Sequence, residues 1–169
     1  MTLANESVRI TRTYPTTPEH VWRLWTTPEG IASWWSPDGF TVEVGKLDLR
    51  PGGDLSYTMT ATAPEQIAFM ESHGMPLSTE SRKKFVEVSE PGRLSYTSLS
   101  YTSLADFIPG VDPYDFLTVV ELETVEGGVR VTMTADAMHD EEWTQRLAAG
   151  RANELDNLGR VIDADEAGA

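Results

Sequence analysis

The most restrictive feature of this chain runs from about Asp140 to Asp163, where Trp143, Leu147, Arg151, Leu155, Leu158 and Ile162 recur at helical spacing along one face. About 23 residues rising about 1.5 Å each make a helix of about 35 Å, enough to cross an entire curved sheet. Asp140, Glu141 and Glu142 suit its N-terminus, where the helix dipole favours negative charge. A long helix with a single apolar stripe needs a partner surface of matching size, and the residues before it have the pattern of one.

That surface is a sheet. Val8, Ile10 and Tyr14 alternate with Arg9, Thr11 and Thr13, the mark of an opening strand with one buried face. From Phe40 the period-two rhythm returns in Phe40, Val42 and Val44, then, after the turn Arg50-Pro51-Gly52-Gly53, in Leu55, Tyr57, Met59 and Ala61. Further strands are expected over Lys83 to Ser89, Arg93 to Thr102, Phe116 to Thr124 and Val129 to Asp136, with turns at Glu90-Pro91-Gly92 and Glu126-Gly127-Gly128. Antiparallel pairing with one apolar face fits every one of them.

Between the first strand and the rest, the tetrapeptide TTPE occurs twice, at Thr16 to Glu19 and Thr26 to Glu29. Each copy supplies a threonine cap, a proline whose φ is already helical, and an acidic residue in the first turn. Two short helices are therefore predicted to start at Pro18 and Pro28. On the first, Val21, Leu24 and Trp25 share a face; on the second, Trp34 and Trp35 flank the line through Ile31. Neighbours on a helix diverge by about 100°, so one ring is expected in the core. Trp35 is placed inward toward a cavity mouth, and Trp34 bracing the helix pair against the turn at Ser36 to Gly39.

Two segments break the rhythm. Ala63 to Ser81 carries Ile67, Phe69, Met70, Met75 and Leu77, too apolar for a free linker, and is expected to form a short helix and loop folded onto the body. The loop from Ala105 to Asp115 carries Phe107, Ile108 and Tyr114 between prolines and glycines. Both are candidates for lids.

At 169 residues the chain reads as one domain, with its core between about residues 7 and 162. Hydrophobic residues are 40% of it, and no run approaches the ~18 apolar positions of a membrane helix. A net charge of −14 argues against nucleic acid or an anionic membrane as partner. With no cysteine and no basic-then-apolar leader, a cytoplasmic location is expected.

Signatures of catalysis are absent: no HExxH, CxxC, Walker loop, GxGxxG or GxSxG occurs. His20, His73 and His139 fall in separate elements without ligand spacing, so neither a metal nor another cofactor is expected. His20 reads as solvated beside Glu19, and His73 as a loop histidine. Asp106 and Asp136 sit where loops and strand ends ordinarily place carboxylates. Arg151 and Glu154, three apart, form an intrahelical ion pair or contact a ligand. The aromatic residues Tyr57, Phe85, Tyr96, Tyr101, Phe107, Tyr114, Phe116 and Trp143 either fill a solid core or line a hollow.

The segments TPEHVWRLWTTPEGIASWW, the Gly52-Gly53 turn and MHDEEWTQRL together resemble the SRPBCC or START-like superfamily, and within it the branch similar to the C-terminal domain of the activator of heat-shock-protein-90 ATPase. The resemblance spans about Ser7 to Ile162. It implies an α+β helix-grip fold: a curved antiparallel sheet wrapped around a long C-terminal helix, with two short helices after the first strand. It also implies a gap between sheet and helix that often holds an apolar or amphipathic small molecule. On that reading Trp35, Tyr57, Met59, Phe85, Tyr96, Phe107, Trp143, Leu147 and Arg151 are the candidate ligand-binding residues, and binding rather than catalysis is expected. The alternatives are a stress-response module that engages a chaperone, and a cyclase or hydrolase using the same cavity. Either a monomer or a homodimer is compatible with the sequence.

Overall fold

A computed structural model describes residues 7–36, 38–89, 97–105 and 110–167. The opening strand β1 (Val8–Tyr14) leads into α1 (Pro18–Thr26) and α2 (Pro28–Trp34). Thr17 and Thr27 cap these helices, their side-chain oxygens accepting from the backbone N–H of His20 and Gly30. The two TTPE copies differ at the next residue for a steric reason. A Cβ at Gly30 would stand 2.5 Å from the carbonyl oxygen of Arg23, so only glycine lets α2 fold back this closely on α1.

Six strands follow: β2 (Phe40–Leu47), β3 (Asp54–Ala61), β4 (Ser78–Ser89), β5 (Thr97–Ala105), β6 (Tyr114–Val125) and β7 (Gly128–Ala135), with α3 (Pro64–Ser72) between β3 and β4. They form an antiparallel meander, and β1 closes it by pairing with β7, giving the order β1-β7-β6-β5-β4-β3-β2. The register shifts between Val44 and Lys46 in β2 and between Phe85 and Glu87 in β4. Such irregularities sharpen local twist and help the sheet curve. The last element, α4 (Glu141–Ala167), grips that sheet. Asp140 starts it, with Oδ1 accepting from the backbone N–H of Trp143 at 2.8 Å.

Tyr14, at the end of β1, fixes α4 in place. Its hydroxyl donates to the carbonyl of Leu155 at 2.7 Å, and its ring lies where a Cβ on Gly159 would come within 3.1 Å. Leu155, Leu158 and Ile162 are fully buried against the main core, which also holds Val21, Ile31, Val129, Val131 and Met133. A second, smaller cluster joins Ala105, Phe116 and Met138 to Tyr114, Trp143 and Leu147.

Four expectations need correction. Strand β4 begins at Ser78 rather than Lys83, because Ser78–Arg82 pairs with β3 through backbone and hydroxyl contacts, such as Thr60 Oγ1 to Ser78 Oγ at 2.9 Å, without any apolar alternation to signal it. The segment after Ala63 does form a helix, but only Met70 is buried in it, while Phe69 and Met75 are 55% and 45% exposed. The terminal helix continues beyond Asp163 to Ala167. His20 is not solvated: Nδ1 meets Thr16 Oγ1 at 2.7 Å and Nε2 meets Asp165 Oδ2 at 2.9 Å, a clasp between α1 and the end of α4. The turn at Glu90-Pro91-Gly92, the start of the Arg93 strand, and Asp106, Phe107 and Ile108 lie outside the described residues. Among the described residues no helix is long and apolar enough to cross a membrane.

Because Leu155 is sealed between β1 and the core, Leu155→Ala should lower the free energy of unfolding by about 2–5 kcal/mol in urea titrations. A loss below about 1 kcal/mol would show that this face of α4 is not the packed one.

Candidate functional site

Between the sheet and the first half of α4 lies a cavity of about 290 Å³. One part of its wall is apolar: Leu104 of β5, Phe116 of β6, Met138, and Trp143 and Leu147 of α4. The other part is polar. There Tyr57 of β3, Ser81 and Lys83 of β4, and Ser103 of β5 face Arg151 and Glu154 of α4, with Arg82 and Arg146 at the exposed rim. Gly150 completes the α4 side, and a Cβ placed there would meet no atom within 4 Å.

Sheet register assembles the polar wall. Lys83 pairs with Ser103, and Ser103 with Phe116, so three consecutive strands deliver one cross-strand row to the cavity. Lys83 is only 7% exposed. Its ammonium donates to Ser103 Oγ at 2.7 Å and stands 5.3 Å from the ring centre of Tyr101 and 5.8 Å from those of Tyr57 and Trp35. Burial, reinforced by the nearby Arg151 charge and only partly offset by Glu154, pulls the Lys83 pKa down to about 7.

Arg151, 5% exposed, directs Nη1 at both carboxylate oxygens of Glu154, each at 3.1 Å, and Nη2 at Thr118 Oγ1 at 3.3 Å. Burial is the largest single influence and opposes its charge, but Glu154 together with the Tyr101 and Tyr57 hydroxyls outweighs it, and the guanidinium pKa is raised. The Nε of Arg151 is buried and, among the described residues, has no hydrogen-bond partner. The Tyr57 hydroxyl is pushed up to about 12, first by burial and then by the Glu154 charge. Arg151 and Glu154 compensate each other, whereas Lys83 has, among the described residues, only neutral neighbours within hydrogen-bonding reach.

Of the residues proposed from sequence, Tyr57, Trp143, Leu147 and Arg151 stand in the cavity wall. Trp35, Met59 and Phe85 pack in or against the main core and are not in that wall. Tyr96 and Phe107 lie outside the described residues. Both tryptophans of the pair are core, 1% and 2% exposed, which corrects the division of roles expected for them. Trp34 braces the helix pair by donating Nε1 to the carbonyl of Leu24 at 2.7 Å. Trp35, where α2 ends, turns its ring to Tyr57 and Tyr101 and supports the wall from behind.

Sequence reasoning missed Lys83, Ser81, Ser103 and Gly150. For three of them the signal was present. Ser81 and Lys83 share the period-two face of Phe85, and Gly150 lies i+3 from Leu147 and i−4 from Glu154. Asp136 is structural: Oδ2 accepts from the backbone N–H of Leu117 at 3.0 Å. His139 lies between Tyr114 and Trp143, and His73 folds back onto the carbonyl of Phe69, which closes α3.

The lysine has a consequence for stability. Its folded pKa lies below the value of about 10.4 for an exposed lysine. Between those two values the unfolded chain binds the extra proton, so stability contributed by this group rises with pH and the full cost is felt below about 7. Lys83→Met should therefore be more stable than the parent at pH 6, by on the order of 3 kcal/mol, with the advantage shrinking toward pH 10. Urea denaturation of both proteins across that range checks this; a difference that does not change with pH would overturn it.

The same architecture occurs in solved structures of bacterial proteins. A Chromobacterium violaceum protein superposes with a TM-score of 0.72 at 22% identity, covering 92% of this chain and 96% of that one. A Mycobacterium smegmatis protein gives 0.67 at 19%, covering 94% and 92%, and a Silicibacter pomeroyi protein named AHSA1 gives 0.67 at 16%, covering 95% and 99%. At these identities the likeness concerns the fold. None of the curated proteins compared with the chain matches it. The family described as Activator of Hsp90 ATPase homolog 1-like protein matches residues 15–163, from the end of β1 to the last turns of α4. Carrying the helix-grip architecture and this match over most of its length, the chain belongs to the Activator of Hsp90 ATPase homolog 1-like family, in the SRPBCC branch of folds.

Proposed function

We propose that this protein binds one small molecule with an apolar body in the cavity between the sheet and α4. One observation carries the reading: a hollow of about 290 Å³ walled by Phe116, Met138, Trp143 and Leu147 on one side and by convergent polar groups on the other. Its volume is near the lower end of the range for small-molecule sites, and a few placed polar groups in an apolar setting are the usual composition of such sites.

Gly150 provides the test. It sits on the cavity wall within a helix, where a side chain finds open space. Gly150→Leu should fill part of the hollow and, by replacing glycine with a good helix former, leave the fold as stable or stabilise it by about 0.5–1 kcal/mol. The neutral fluorescent probe N-phenyl-1-naphthylamine should bind the parent saturably, one per chain, and the variant at least tenfold more weakly. No saturable uptake by the parent, or equal uptake by both proteins, would overturn the reading.

A second reading, engagement of a chaperone, has family membership and one surface feature in its favour. Phe69, Met75 and Leu77 are exposed on and just after α3, and none of them is in the cavity wall. If that surface contacts a heat-shock-protein-90 ATPase, the protein should stimulate its ATP turnover and Phe69→Ser should reduce the stimulation. Absence of any stimulation removes this reading.

A further inference from the structure

The cavity is an electrostatic exception in an acidic protein. The chain has 13 Lys and Arg residues against 27 Asp and Glu. The cavity lining has the opposite bias: among the described residues it includes Arg82, Lys83, Arg146 and Arg151, and one carboxylate, that of Glu154. The two rim arginines meet outside partners, Arg82 with Glu80 and Arg146 with Glu142, each at 3.0 Å. Inside, both oxygens of Glu154 are committed to Arg151. Among the described residues no carboxylate comes within ion-pair distance of Lys83, whose acceptor is the neutral Ser103 hydroxyl. Nor does Arg151 Nε have an acceptor.

A buried cation without an anion is costly, and a buried N–H without an acceptor adds to the cost. A carboxylate entering the polar end of the cavity, where Lys83 and Arg151 both stand in the wall, would supply the missing anion. We propose that the ligand class is an amphipathic monocarboxylate, its carboxylate held between Lys83 and Arg151 and its apolar body lying against Phe116, Met138, Trp143 and Leu147. This deepens the binding reading above and rests on it. A single negative charge balances two buried cations and one carboxylate. The aromatic faces of Tyr57, Tyr101 and Trp35 behind the ammonium hold the lysine side chain in place from the core side.

Binding is then linked to protonation of Lys83. The charged and titratable groups facing that ammonium are Tyr57 on β3, Tyr101 on β5, and Arg151 and Glu154 on α4. Both tyrosines stay neutral at ordinary pH because their pKa values are raised, so the lysine is the group that titrates near neutrality. The anion selects the charged lysine. Its affinity is full below the ligand-free pKa of about 7 and declines as the pH rises above it.

The test compares 1-naphthylacetate with the neutral 2-(1-naphthyl)ethanol, which has the same ring and nearly the same length, by calorimetric titration of the full chain. At pH 6.5 the acid should bind at least tenfold more tightly than the alcohol, and that preference should shrink between pH 7 and 9. In Lys83→Met the preference should fall to within about threefold of unity and lose its pH dependence. The ratio of the two affinities is the readout, so a general loss of binding is not mistaken for loss of anion recognition. If the variant does not fold, the acid-to-alcohol ratio and its pH profile in the parent still decide the matter. Equal binding of acid and alcohol by the parent overturns the anionic class and leaves the cavity reading standing. A preference that survives in Lys83→Met overturns the role of the lysine. If neither compound binds, both the anionic class and the cavity reading are overturned.

Discussion

The fold depends on the docking of α4 against the edge strand β1. Tyr14 spans the junction with a hydroxyl bond to Leu155 and a ring seated over Gly159, and next to it Leu155, Leu158 and Ile162 are excluded from water. Each fully buried aliphatic side chain contributes about 1.5–3 kcal/mol of transfer free energy. The second half of the helix is therefore held rigidly. The His20–Asp165 clasp ties the same end to α1, so the helix pair, the edge strand and the end of α4 form one body.

The first half of α4 meets a different environment. There the apolar stripe is interrupted by Arg151, and the sheet opposite is interrupted by Lys83, Ser103 and Thr118, all buried. Polar side chains with directional needs cannot close a gap by interdigitating as leucines do. The two apolar clusters consequently stay separate, and the hollow lies where the polar residues of sheet and helix face each other. Rigid anchoring at one end and a polar interruption at the other produce a cavity with a firm back wall, supported by the tryptophan cluster, in which Trp25, Trp34 and Trp35 lie with ring centres 4.6 to 6.2 Å apart.

The buried polar groups are costly to folding. An apolar set of similar volume would be at least as stable, since buried ion pairs seldom repay their desolvation. Lys83 and Arg151 thus stand out as residues whose place is not explained by what holds the chain together, and the proposed uptake of a carboxylate would account for both. Asp136 and His73, which are also polar and were also weighed, satisfy backbone groups at the ends of elements and need no such explanation.

Much of this architecture is legible in the linear chain, because periodicity and capping are local. The TTPE repeats start α1 and α2 at their prolines, the alternating segments become strands, and the stripe through Leu155, Leu158 and Ile162 is the buried face of α4. Local rules fail where the partner decides. Ser78–Arg82 is a strand only because β3 offers it a ladder, and Trp34 and Trp35 are both buried because the core surrounds α2 at its C-terminal end on two sides. The site was half visible. Tyr57, Trp143, Leu147 and Arg151 could be named from face and fold, and Lys83 follows from the alternation through Phe85, yet a lysine in a strand is ordinarily read as solvent-facing. That its ammonium is buried near an arginine that already engages the Glu154 carboxylate depends on cross-strand register and on the depth at which α4 sits, and these distances exist only once the sheet has curved around the helix.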